Sequence, residues 1–119
     1  MFGRDSKPAA RIDTLIGRTT HVEGGLRFSG GLHVDGRIGG NVTAQGAGSS
    51  LSVGEHGVIE GKVETTHLTL NGVVKGDIRA PGKVALGAQA KVHGNLYYGV
   101  IEMTLGAEIA GKLVPVVTK

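Results

Sequence analysis

The chain has 119 residues, enough for one ordinary domain, with 22 glycines, no cysteine and only 3% aromatic residues. Its formal net charge of +3 is scattered, without the basic stripe of a nucleic-acid binder, and the lack of cysteine excludes a disulfide frame and thiolate chemistry. The glycine content, far above the usual share of about 7%, shows no Gly-X-Y period, so it points to turns and not to a collagen-like helix. A core must then be built from Val, Ile, Leu and Ala. No apolar run approaches the roughly 18 residues of a membrane-spanning helix, and no signal-peptide apolar region is present.

Residues 1–10, MFGRDSKPAA, read as a tail outside any regular pattern. Met1 and Phe2 are apolar, and Arg4 and Lys7 follow with Asp5 as the only acid. That arrangement suits a minimal membrane-binding segment, with Phe2 in the lipid interface and the cations near anionic headgroups. One buried Phe contributes roughly 1.5–3 kcal/mol. A single copy is too weak an anchor, so the segment would hold only where many copies are linked.

From residue 11 to residue 117 the chain reads as one repeating domain, leaving 118–119 as a terminal end. The pattern is clearest in Leu51–Val63, LSVGEHGVIEGKV: apolar-x-apolar, a Gly-centred turn, then apolar-x-Gly-x-apolar. Thr14–Leu26, Val84–Leu96 and Ile101–Leu113 repeat it at full length, and Leu32–Val42 and Leu68–Ile78 repeat it with a shorter turn. The six starts are spaced by 18, 19, 17, 16 and 17 residues, an internal period that governs the fold. Alternation over two or three residues predicts strands, and glycines every few residues exclude helices. Three strands per copy give one coil of a triangular β-solenoid. A lone coil buries too little to stand, so the coils must stack. Six of them at about 4.8 Å give a rod roughly 29 Å long.

The outward positions fit that register. Glu60 falls beside Lys75 and Lys62 beside Asp77 in adjacent coils, with reversed polarity, so a slip would lose both pairs. Gln45–Ser50 is the longest connection. Pro115 has no amide donor and suits an edge strand.

Chemistry is sparse. His21, His33, His56, His67 and His93 fall at five different repeat positions and read as solvated surface residues without a metal-ligand spacing. No carboxylate pair and no nucleophile elbow stands out. The Gly24-Gly25, Gly30-Gly31 and Gly39-Gly40 pairs lead into no helix that could hold a phosphate. An enzyme is therefore not expected, nor a cofactor, metal, nucleotide or nucleic-acid partner. One alternative is a left-handed β-helix acyltransferase trimer, since Val53-Ile59-Thr65 and Leu86-Val92-Tyr98 step by six. Against it, Val34-Ile38-Val42 and Leu70-Val74-Ile78 step by four. A monomeric solenoid adaptor is a further alternative.

Arg11-Ile12-Asp13-Thr14-Leu15-Ile16-Gly17 at the domain entrance, with Gly40-Asn41-Val42, Gly61-Lys62-Val63, Gly76-Asp77-Ile78, Gly94-Asn95-Leu96 and Gly111-Lys112-Leu113, resembles the bactofilins. The start, Met1-Phe2-Gly3-Arg4 through Lys7, is similar to the family's membrane-targeting segment. The resemblance implies a right-handed triangular β-helix that polymerises end to end into nonpolar filaments without nucleotide. It also implies a place on the inner face of the cytoplasmic membrane, with anionic lipids and cell-wall or cell-shape enzymes as partners. Members often carry proline-rich tails, and here both tails are short, which weakens any recruitment that depends on them.

The ends of the stack agree with a homopolymer. Ile12, Ile16 and Val22 at one end, and Ile101, Met103, Ile109 and Leu113 at the other, would leave an apolar layer open to water. These residues are the expected polymerisation interface. The alternative is that Pro115 and the residues after it fold over and cap the last coil.

Overall fold

The computed structural model describes residues 14–46 and 48–116. Within them the chain forms sixteen short strands and no helix, and every strand pairing is parallel. Thr14 lies opposite Leu32, Leu32 opposite Leu51, Leu51 opposite Leu68, Leu68 opposite Val84, and Val84 opposite Ile101. Those are the six starting positions of the repeat, so each copy is one coil and the coils stack in the expected register. The fold is a parallel β-solenoid of about six turns.

Each coil has three faces. The first carries Thr14–Ile16, Gly31–Val34, Ser50–Val53, His67–Leu70 and the ends of two longer strands, Ile78–Leu86 and Leu96–Met103. The second carries His21–Glu23, Arg37–Gly39, Val58–Glu60, Val73–Lys75, Lys91–His93 and Glu108–Ala110. The third carries Leu26–Phe28, Val42–Ala44, Val63–Glu64, the starts of the two longer strands, and Leu113–Pro115. Alternation sends one side chain into the stack and the next outward. In the third coil Leu51, Val53, Ile59, Val63 and Thr65 all point inward and are buried. The buried Thr65 hydroxyl donates to the His67 carbonyl at 3.1 Å, which satisfies it inside an aliphatic core.

At the corner between the first and second faces the turn takes two lengths. Long copies close it with a four-residue turn, seen in the bonds from Gly57 N–H to Gly54 O and from Ala90 N–H to Gly87 O. Short copies use Asp35-Gly36 and Asn71-Gly72. Because Leu70 still pairs with Leu86 and Val74 with Val92, the longer turn bulges outward without moving the core positions. The next corner is tighter. Gly40, Gly61, Gly76, Gly94 and Gly111 stack there at φ between +145° and +157°, and a Cβ on any of them would collide with the carbonyl of the glycine one coil earlier. Only glycine lets the coils approach at this corner.

Beside that column, Asx side chains take up corner amides that no strand pairs. Lys62 N–H donates to Asn41 Oδ1 at 3.0 Å, Asn95 N–H to Asp77 Oδ1 at 3.0 Å, and Lys112 N–H to Asn95 Oδ1 at 3.2 Å. This corrects one expectation. Glu60 does pair with Lys75 at 3.8 Å, and with Arg37 at 4.0 Å, but Asp77 serves the Asn95 amide and makes no ion pair with Lys62.

Candidate functional site

Coils two to five are closed aliphatic layers, with Leu32, Ile38, Leu51, Ile59, Leu68, Val74, Leu86 and Val92 at 1% exposure or less. The two terminal coils differ. Every large hydrophobic side chain that is exposed among the described residues belongs to one of them: Leu15 at 62%, Val100 at 58%, Met103 at 49%, Leu105 at 95% and Leu113 at 43%. Met103 and Leu113 occupy inward positions, in line with Leu86 and Leu96 of the previous coil, and are exposed because no coil lies over them.

The expected interface residues divide accordingly. Ile101 and Ile109 pack partly against the core, while Met103 and Leu113 stand open. At the other end Ile16 is buried and Val22 is half-buried against the core. Ile12 lies outside the described residues, as do Met1, Phe2, Arg4 and Lys7 of the expected membrane-binding segment. Sequence reading missed Val100 and Leu105, because neither falls at an inward position of the repeat. A column comparison would have found them: Leu105 stands where other long turns carry Arg18, Glu55 or Ala88.

Backbone groups complete the C-terminal end. Thr104 N–H donates back to Leu86 O, Glu108 N–H to Ala90 O and Val116 N–H to Tyr98 O, while Lys112 O accepts from Leu96 N–H. Successive residues of a strand turn their N–H and C=O to opposite edges. Ile101, Met103, Ile109 and Leu113 therefore present theirs to the open edge, together with the carbonyl of Pro115. Pro115 sits in the edge strand Leu113–Pro115, where its missing N–H removes a donor that would otherwise face water. That strand continues the ladder and does not fold over the last coil, so the expected alternative of a cap is not what residues up to 116 form.

The histidines are not uniformly solvated surface residues. His33 is part-buried on the first face, with Nε2 2.9 Å from Asp35 Oδ2 and Nδ1 3.1 Å from Ser52 Oγ. His67 Nδ1 accepts from the Lys83 amide at 3.3 Å. The first group has the residue types of a hydrolytic triad, yet it lies on a flat ladder whose neighbouring Gly54 amide is already bound to Val34 O. It holds two coils and a turn together. A hollow of about 250 Å³ on the third face, lined by Lys62, Val63, Glu64, Asp77, Arg79 and Tyr97, is smaller than the pockets that enclose ordinary ligands. No cluster of His, Asp or Glu among the described residues could hold a metal ion.

Comparison with known proteins decides the family. The model of the bactofilins, described as polymer-forming cytoskeletal proteins, matches residues 14–114. The chain belongs to the bactofilin family. This bactofilin is 29% identical over 101 residues to bactofilin BacO of Myxococcus xanthus, covering 85% of this chain and 78% of the relative. It also resembles the Thermus thermophilus bactofilin solved by cryo-EM as double helical filaments, with a TM-score of 0.75 and 31% identity over 87% of this chain and 99% of the other. Bactofilins are structural, so the apolar open ends are the candidate functional site.

Proposed function

We propose that this bactofilin stacks end to end, without nucleotide, into nonpolar filaments that lie on the inner face of the cytoplasmic membrane and scaffold cell-shape or cell-wall enzymes. One observation carries the polymer reading: the exposed large hydrophobics of the described chain are confined to the first and last coils. A solenoid built to remain a monomer covers such layers with polar or capping residues. Identical ends meeting across a two-fold axis continue the ladder and bury the layer, and two such junctions alternating give an open filament. The filaments of the Thermus thermophilus relative support the same reading.

Membrane attachment rests on Met1, Phe2, Arg4 and Lys7, whose individual weakness polymerisation offsets. Ile12, Ile16 and Val22 form one junction in this reading, and Ile101, Met103, Ile109 and Leu113 the other. The deciding experiment is negative-stain microscopy of the purified chain without nucleotide over a range of salt. Long thin filaments are expected. Discrete particles of one small size would overturn the proposal.

A further inference from the structure

The last coil is a ramp. It starts at Val100, at the corner between the third and first faces, and returns to that corner after Pro115, one strand spacing higher. The end of the stack therefore carries a step about 4.8 Å high at that corner. Two identical ramps meet flush only if their steps coincide. A two-fold axis perpendicular to the stack brings a step onto itself only when the axis passes through it. Any other axis leaves a slot one strand deep over part of the junction, or an overlap over the rest.

From these relations we infer that the two-fold axis of the C-terminal junction passes through the step corner and the middle of the opposite second face, at Ile109. The inference rests on end-to-end stacking of like ends and deepens it. The core layout supports this axis. In the fourth coil Leu70, Val74 and Ile78 are four residues apart on both sides of the second face, and they pair in register up to Met103, Ile109 and Leu113. The inward positions are thus evenly placed about Ile109, whatever the turn length.

The pairings follow. Ile109 meets Ile109 of a second copy, Met103 meets its Leu113, and Ile101 meets its Pro115. Met103 and Leu113, the large hydrophobic side chains exposed at inward positions, cover one another. Hydrogen bonding is compatible with this axis. Ile109 and its copy exchange both bonds, Met103 and Leu113 do likewise, and each Ile101–Pro115 pair keeps one bond, from the Ile101 N–H to the Pro115 carbonyl, because Pro115 has no N–H. The first coil starts at the same corner, at Thr14, so an equivalent axis there passes through Val22 and sets His21 opposite Glu23 of the second copy. Both junctions then keep the step corners on one edge of the filament. Thr14 lies at that edge, and the second face, with Arg37, Glu60, Lys75 and Lys91, points to the opposite side.

The chain has no cysteine, so engineered thiols report the axis without background. Across the second-face axis, Glu102 faces Val114 of the other copy as an outward, non-hydrogen-bonded antiparallel pair, with Cα atoms about 4.5 Å apart, within disulfide reach. Glu102→Cys and Val114→Cys are purified separately, polymerised alone or as an equimolar mixture in reductant, pelleted, then oxidised and run on a non-reducing gel. The mixture is expected to give a covalent dimer and neither variant alone to do so. A dimer from Glu102→Cys alone places the axis through the first face, and one from Val114→Cys alone through the third; either overturns the inference. Pelleted mixed filaments without a dimer also overturn it, since polar head-to-tail stacking would keep the two positions apart. Glu108→Cys mixed with Ala110→Cys repeats the test if a substitution at 102 or 114 prevents pelleting. Failure of the wild type to pellet would instead refute the filament reading itself.

Discussion

Met103→Arg separates folding from polymerisation. Met103 ends the edge strand Leu96–Met103 at an inward position, yet about half of it is exposed in the isolated chain. Fully burying a Met side chain is worth about 1.5–3 kcal/mol, so the half already buried in one chain contributes about 1 kcal/mol and the open half about as much at a junction. A long arginine at a half-exposed edge can carry its guanidinium into water along its aliphatic stem. The isolated solenoid should then lose no more than about 1 kcal/mol, a fall in Tm of roughly 4 °C for a domain of this size.

At a junction the account differs. Each C-terminal junction contains two copies of position 103, so about 2 kcal/mol of apolar burial disappears, and two guanidinium groups are left without a carboxylate in a closing apolar layer. An unpaired buried charge costs about 3–5 kcal/mol in measured cases. Even the low end of that range exceeds 4 kcal/mol in total, which raises the concentration needed for polymerisation about a thousandfold. The assay is high-speed pelleting across protein concentration, with microscopy of the supernatant and a thermal melt of the same sample. The expected result is a soluble species no longer than a pair of chains joined at their N-terminal coils, with a near-normal melt. Thr69→Arg, outward on a middle coil, should polymerise as wild type. Filaments of Met103→Arg at the wild-type concentration would refute the reasoning.

Gly61→Ala, in the stacked corner column at φ +154°, should lower stability by about 2–4 kcal/mol in chemical denaturation, because backbone strain and a collision with the Gly40 carbonyl act together. Gly46→Ala, at φ +86° with open space around it, should cost only about 1 kcal/mol. Ile59→Ala in the fully buried third coil should lose about 2–5 kcal/mol, whereas Ile109→Ala should leave the melt of dispersed chains closer to wild type and impair pelleting instead. Glu60→Lys places three cations side by side with Arg37 and Lys75. It should destabilise by about 1 kcal/mol at low salt and recover as salt rises, and an unchanged salt response would count against the pairing geometry.

Most of the fold was legible because stacking converts sequence period into spatial neighbourhood. Once Leu32, Leu51 and Leu68 are aligned as copy starts, their pairing partners follow, and so do the inward positions at every second residue. The corner glycines were legible for the same reason, since a residue that recurs in one column must answer to one steric demand. The outward contacts were less so. Column alignment placed Lys62 beside Asp77, but a corner amide left without a strand partner competes for the carboxylate, and the Asn95 N–H wins it. His33, Ser52 and Asp35 come together across 19 residues and a two-residue step, which no local spacing rule describes. At the ends, Met103 and Leu113 could be named as open because the repeat stops above them. Val100 and Leu105 were overlooked because outward apolar residues carry no periodic signature.

The two halves of the proposed function are coupled through weak binding. A single Phe2 contributes roughly 1.5–3 kcal/mol toward the membrane, which alone gives at best millimolar-scale attachment. If six coils set a rise of roughly 29 Å per chain along the filament, each further tail reaches the surface at an effective concentration near the millimolar range, and attachments multiply. Membrane residence then depends on filament length more than on the chemistry of one tail. Removing residues 1–7 should leave filaments that pellet normally but no longer float with anionic vesicles. Met103→Arg keeps its tail intact and should nevertheless detach, because a species of two chains presents only two tails. Vesicle flotation of Met103→Arg at wild-type yield would mean that one or two tails anchor without a filament, and polymerisation would then need a different reason to be linked with the membrane.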